Sequence, residues 1–213
     1  MNKGNWLKFI SPAAPFIAVG VGVYLLHNGW VAFLIYQIAI LCVIFIEGHH
    51  HVFKKMSIGW NWTAAGVSIF FCIMMFPLLY YLWGYMEVSQ YSINDRLAWL
   101  GLEGMGWRVL IFCFVATNPI LEEAFWRGYL DGEGKRPWLA DAVFASYHLT
   151  VLILFVKWQW LILAFVILCS AGWGWRWLSR RLGGLAVPLV SHIIADICIV
   201  AAIQLIASRP PIQ

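Results

Sequence analysis

Seven apolar runs, at roughly 9–26, 30–46, 62–86, 106–125, 139–156, 160–178 and 184–207, follow one another with only short polar interruptions. Most approach the length of about 20 residues that a helix needs to cross a hydrocarbon core. None shows the strict alternation of an outer-membrane strand. Backbone groups in lipid must be satisfied within their own segment, so the runs predict helices. Only His27, Asn28 and Gly29 separate the first two, which predicts a tight helical hairpin. The stretch "YSINDRLAWLGLEGMGW" ahead of the fourth run has room for a short interfacial helix. The expected fold class is all-α: a polytopic transmembrane bundle of about seven to eight helices, forming a single integral-membrane domain over 1–213. No internal repeat or low-complexity tract divides it, and no A-x-A-like site marks a cleavable signal peptide.

Composition sharpens this picture. With 62% hydrophobic and 11% charged residues, the chain has too few charges to cover a water-facing surface. The net charge of +4 is modest, and nothing points to nucleic-acid binding. The five cysteines all lie in apolar runs without C-x-x-C pairing and read as small buried hydrophobes. The fourteen tryptophans read mostly as interfacial anchors. The basic residues matter for orientation. With a cytoplasmic N-terminus, that side collects Lys3, Lys8, Lys54, Lys55, Arg127, Lys135, Arg136, Arg176, Arg180 and Arg181. The other side receives Arg96, Arg108, Lys157 and Arg209, a split of ten to four that favours N-in, C-out.

Against this background a few polar residues stand out. Glu122, Glu123 and Asp196 are the acids read at membrane depth, and His148 and His192 the histidines within apolar spans. Ionisable groups there are costly unless they face a partner or a polar cavity, so their default reading is functional. Helix rise from the basic end puts Glu122 a few Å deep and His148, His192 and Asp196 about 10–20 Å deep, so all four can meet in one half of the bilayer. His192 and Asp196, four apart, share a helix face, and Glu123 and Arg127, also four apart, suit an ion pair at a helix end. Glu122 then points about 100° away and stays free. Pro119, just upstream, predicts a kink. Two imidazoles and two or three carboxylates can activate water by general-base catalysis or hold a divalent metal that does so. The run "EGHHHVFKK" reads as a solvated loop or headgroup contact rather than a metal site.

Three motifs in order, "EEAFWR", "FASYH" and "HIIAD", together with "GGLAVPLVSHIIAD", resemble the CAAX protease and bacteriocin-processing family, also called Abi. These intramembrane endopeptidases include the type II CAAX prenyl endopeptidase of eukaryotes. The resemblance runs from about Asn118 to Ile197, and the first hundred residues match only as generic transmembrane helices. It implies that Glu122, assisted by His148, activates water, and that His192 and Asp196 hold the oxyanion, with Glu123 and Arg127 as supporting structure. Asp196 stands where the family often has asparagine. An ionised aspartate cannot donate to an oxyanion, so it is protonated, or orients His192, or ligates a metal. The metal-free reading is favoured. A divalent ion such as zinc would draw on Glu122, His148, His192 and Asp196.

The function expected from this resemblance is hydrolysis of a peptide bond in a membrane-associated protein or peptide, for CAAX-type processing, sorting-signal cleavage, or bacteriocin maturation or immunity. The expected setting is a bacterial inner membrane, with the lipid bilayer and the substrate as partners and the active site toward the cytoplasmic half. The alternative is a non-catalytic membrane interaction protein, or a small-solute or proton carrier using the same buried acids.

Overall fold

The computed structural model describes residues 6–88, 92–131 and 139–209. Of the charges used for orientation, Lys3, Lys135 and Arg136 lie outside the described residues. Helix dominates: α1 (Trp6–Leu25), α2 (Gly29–Ile46), α3 (Trp62–Met86), the short α4 (Ile93–Trp99), α5 (Gly104–Tyr129), α6 (Leu139–Leu152), α7 (Trp158–Leu182) and α8 (Ala186–Ala207). All but α4 and α6 are long and apolar enough to cross a membrane. Their outward faces carry large apolar side chains such as Phe9, Phe71, Phe112 and Ile162, as lipid contact requires.

The expected seventh span over 139–156 is a correction. Its helix stops at Leu152, giving about 21 Å of rise against the roughly 30 Å of a hydrocarbon core. The chain then turns back. Val156 pairs with Glu87 in an isolated antiparallel bridge, and Lys157 N–H donates to Met86 O at 2.8 Å. These bonds tie the end of α6 to the end of α3 and satisfy backbone groups that another helical turn would otherwise have satisfied.

Local sequence explains where the helices start and stop. Asn28 caps α2 by accepting from Val31 N–H at 3.1 Å, and Asn61 caps α3 by accepting from Ala64 N–H at 2.9 Å. The expected interfacial helix is α4, opened by a Ser92–Asp95 capping box. The Ser92 hydroxyl and then its N–H hold the Asp95 carboxyl below its ordinary range. A 3₁₀ segment, His49–Ser57, follows α2 and brings Lys54 and Lys55 to the start of α8, where Leu185 N–H donates to Lys55 O and Ala186 N–H to Ile58 O. Gly184 permits this approach, since a Cβ there would stand 2.1 Å from Ile58 O.

The most extensive packing is α3 along α8 and α6 along α7, with α1 folded onto α2. The deepest element is α5. Pro119 interrupts its hydrogen-bond ladder, and from Glu123 to Tyr129 the backbone continues as a π-helix. The expected disturbance at Pro119 thus takes the form of a wider helical turn that carries the helix on, so Glu122 lies about 10 Å from the helix end rather than the few Å expected. One end of the bundle gathers Lys8, Lys54, Lys55, Arg180 and Arg181, with the buried Arg127 and Arg176 inside it. The opposite end holds Arg96, Arg108, Lys157 and Arg209.

The α1–α2 crossing depends on one missing side chain. A Cβ on Gly22 would meet Ala32 N at 2.2 Å, whereas one on Gly20 meets nothing within 4 Å. Gly22→Ala is therefore expected to destabilise the protein by about 1–3 kcal/mol through overpacking. Gly20→Ala should leave it unchanged or slightly more stable. Thermal unfolding of the two variants in the same detergent checks the contrast.

Candidate active site

The segment from Glu122 to Arg127 is buried on every side, with relative exposure from 0% to 2%. An amphipathic helix would leave one face outside. This one passes through the middle of the bundle, so both glutamates and the arginine must find partners within the protein.

Glu123 and Arg127 form the expected i,i+4 pair, Nη1 to Oε1 at 3.0 Å. The guanidinium also lies 4.3 Å from the centre of the Phe144 ring and 5.1 Å from that of Trp175, aromatic faces that replace part of its lost hydration. Gly172 of α7 leaves room for it, because a Cβ there would approach Arg127 Nη2 to 3.2 Å. The same Glu123 Oε1 lies 2.9 Å from His192 Nδ1. A carboxylate accepts, so Nδ1 carries the proton and donates. Trp175 stacks on the His192 ring, with centroids 4.4 Å apart and planes inclined by 20°. Glu123 therefore joins α5 to α8 as well as closing an ion pair.

Glu122 is not free, contrary to expectation. Its Oε1 accepts from the Tyr36 hydroxyl at 2.8 Å and from the Tyr147 hydroxyl, and Trp126 Nε1–H donates to the Tyr36 oxygen at 2.9 Å. The other oxygen, Oε2, is buried without a hydrogen-bond partner and faces His192 Nε2 at 3.5 Å. Asp196, on the same face of α8 as His192, has Oδ1 3.7 Å from Nε2, beyond hydrogen-bond range. The bond that orients His192 comes from Glu123. Asp196 Oδ2 instead receives Asn118 Nδ2 at 3.5 Å, and Asn118 Oδ1 accepts from Gln37 Nε2 at 3.0 Å.

The structure thus brings Glu122, Glu123, Arg127, His192 and Asp196 together. His148 sits at the edge, half-buried. Its Nδ1 donates to Phe144 O at 2.7 Å, which leaves Nε2 of the neutral ring as an acceptor. Its ring lies 4.0 Å from that of Tyr147, but among the described residues it makes no hydrogen bond to Glu122, His192 or Asp196. As for a divalent ion, no group of three His, Cys, Asp or Glu side chains among the described residues has an arrangement that could hold one. Both histidines donate Nδ1–H to other acceptors, which leaves Nε2 as the ring nitrogen through which either could bind a metal.

Several residues around the site were not picked out from the chain. Gln37 and Asn118 carried a signal, each being a lone amide in an apolar run. Tyr36, Trp126, Tyr147 and Trp175 carried none, because aromatics are spread along the whole chain. Trp126 and Trp175 are buried, unlike the interfacial anchors expected of most tryptophans. Asp141 adds a fourth buried acid. It is 1% exposed and held by Arg176 through Nη2 at 2.9 Å and Nε at 3.0 Å, and Arg176, counted as a loop charge, is itself buried in α7. Each conceals the other's charge, and the pair clamps α6 to α7.

Fold and site together define an integral membrane protein of packed helices with a buried glutamate–histidine centre. Residues 104–198 match the family model described as Type II CAAX prenyl endopeptidase Rce1-like. That range contains Glu122, Glu123, Arg127, His148, His192 and Asp196, and it agrees with the resemblance carried by the three motifs. No curated protein and no solved structure matches the chain.

Arg127→Met would take the guanidinium away from the buried Glu123 and leave that carboxylate only its bond from His192. A loss of about 3–5 kcal/mol is expected, the cost of breaking a buried pair from one side. The charge-neutral double variant Glu123→Gln/Arg127→Met should recover a large part of it. Thermal unfolding of the two single variants and the double variant in one detergent measures the coupling, and strictly additive losses would refute it.

Proposed function

We propose that this protein is an intramembrane endopeptidase that hydrolyses a peptide bond of a membrane-associated protein or peptide, using water activated on Glu122. The observation that carries the reading is the unpartnered Glu122 Oε2, fully buried and opposite His192 Nε2. A buried carboxylate oxygen with no partner is costly, and a water that donates to it supplies the missing hydrogen bond. The match of residues 104–198 to a CAAX peptidase family supports the same chemistry.

In the proposed reaction a water lies against Oε2. Its oxygen bonds to the scissile carbonyl carbon, its proton passes to Oε2, and the carbonyl electron pair moves onto oxygen. In the doubly protonated His192 ring, Nδ1–H stays on Glu123 and Nε2–H donates to the oxyanion. Protonated Asp196 supplies a second donor beside it. Collapse breaks the carbon–nitrogen bond, and the proton on Glu122 moves to the leaving amine, giving a carboxylic acid and an amine. His148 assists from the edge, its Nε2 accepting from the incoming water. Glu123 and Arg127 hold His192 in place. No step calls on a metal ion.

The substrate class we favour is one processed near its C-terminus, in the manner of CAAX proteins, with sorting-signal cleavage and bacteriocin maturation or immunity as the other settings. The basic end of the bundle is assigned to the cytoplasm. Among the described residues the split is seven to four in that direction, and five to four once the buried, paired Arg127 and Arg176 are left out. The centre then lies in the cytoplasmic half of a bacterial inner membrane.

Glu122→Gln is expected to lower turnover by at least about 100-fold while leaving the protein folded, because the amide keeps the volume but accepts no proton. The assay is cleavage of a fluorogenic peptide ending in an S-farnesyl CAAX sequence, and of proteins encoded beside this gene, in proteoliposomes. Near-wild-type cleavage by Glu122→Gln would remove the glutamate mechanism. Asp196→Asn should preserve or raise turnover, since an amide donates at any pH. Metal content is measured on the same samples. An Asp196→Asn protein that loses both activity and a stoichiometric metal would overturn the metal-free reaction.

A further inference from the structure

The hydrogen bonds to Glu122 come from residues outside the charged set, and one of them lies outside the matched region altogether. Tyr36 belongs to α2 and Tyr147 to α6, and both hydroxyls converge on the same oxygen, Oε1. Trp126 Nε1–H can only donate, so the Tyr36 oxygen is its acceptor, and the Tyr36 proton is left for Glu122 Oε1 at 2.8 Å. Two donors occupy the lone pairs of Oε1, while Oε2 has none and faces His192 Nε2 at 3.5 Å.

We propose that Tyr36 and Tyr147 are positioning residues that clamp Glu122 by Oε1, so that Oε2 alone is presented to water, and that Trp126 sets the Tyr36 arm. The inference rests on the peptidase reading for its consequence but not for its geometry. A carboxylate held at one oxygen cannot rotate to exchange its two oxygens. Its reacting lone pair is therefore fixed relative to His192 before substrate arrives, which is the preorganisation a general base needs. The arrangement also explains why a tyrosine and a tryptophan are buried at the centre of a lipid-embedded bundle, where each polar tip requires a partner. The rings pack as a group: Tyr147 stacks on Trp126 with centroids 6.1 Å apart and lies 5.5 Å from the Tyr36 ring, so ring packing resists movement of the hydroxyls.

The test uses the full chain in proteoliposomes and two readouts. The first needs no substrate. The infrared carboxylate bands of Glu122, isolated by subtracting the spectrum of the matching Glu122→Gln protein, are compared in the wild type, Tyr36→Phe, Tyr147→Phe and the double variant. Phenylalanine keeps each ring and removes only the donor, and both single variants are expected to shift the bands, the double variant most. Should either fail to fold, Trp126→Phe carries the same test, because it frees the Tyr36 hydroxyl without touching Glu122. The second readout is turnover of the S-farnesyl peptide, with kcat expected to fall by about 10–100-fold in each phenylalanine variant and KM to stay within about twofold. Unchanged Glu122 bands would overturn the clamp whatever the activity. Shifted bands with unchanged kcat would overturn its role in presenting Oε2. A wild type that cleaves no peptide but shows the band shifts would support the clamp and count against the peptidase reading alone.

Discussion

The structure depends on dispersing the cost of buried charge around Arg127. A guanidinium at the centre of a lipid-embedded bundle is tolerable only where a carboxylate and polarisable ring faces replace its water. Glu123 supplies the first, Phe144 and Trp175 the second, and Gly172 the space. Through Glu123 the pair reaches His192, and through His192 it sets the surroundings of Glu122 and Asp196. Four helices, α5 to α8, are thereby tied to one cluster, and Asp141 with Arg176 repeats the device nearer the basic end.

The α2 helix completes the cluster from the other side. It contributes Tyr36 to Glu122 and Gln37 to Asn118, so two consecutive residues serve the two ends of the polar centre. The first hundred residues resemble generic membrane spans, yet one of those spans supplies a wall of the site. The two glutamates, adjacent in the chain, are divided between two tasks. Glu123 takes a cation and an imidazole on its Oε1, whereas Glu122 takes two hydroxyls on Oε1 and turns its Oε2 toward His192 Nε2.

Backbone geometry makes this division feasible. The π-helical stretch after Pro119 carries α5 past the point where an apolar run alone would end, which sets Glu122 about 10 Å inside rather than near the surface. At that depth it lies level with His192, about 9 Å along α8 from Ala186.

Much of this was legible in the chain. Apolar run lengths dictate helices because lipid offers the backbone no other partner, and the spacing in "EEAFWR" and "HIIAD" fixes which side chains share a face. The charged residues of the site announce themselves, because an ionisable group in an apolar run has no cheap explanation. Tyr36, Trp126 and Tyr147 do not, since the burial of an aromatic costs nothing that a sequence pattern would reveal. Nor could spacing tell that His192 answers to Glu123 rather than Asp196, or that the last apolar turn before Val156 is not helical. Those outcomes are pairings between residues 25 to 90 positions apart, as in Tyr147 with Glu122 and Tyr36 with Trp126. Local periodicity carries no information about such distances. Only the packing of α2, α5, α6 and α8 decides which hydroxyl meets which oxygen.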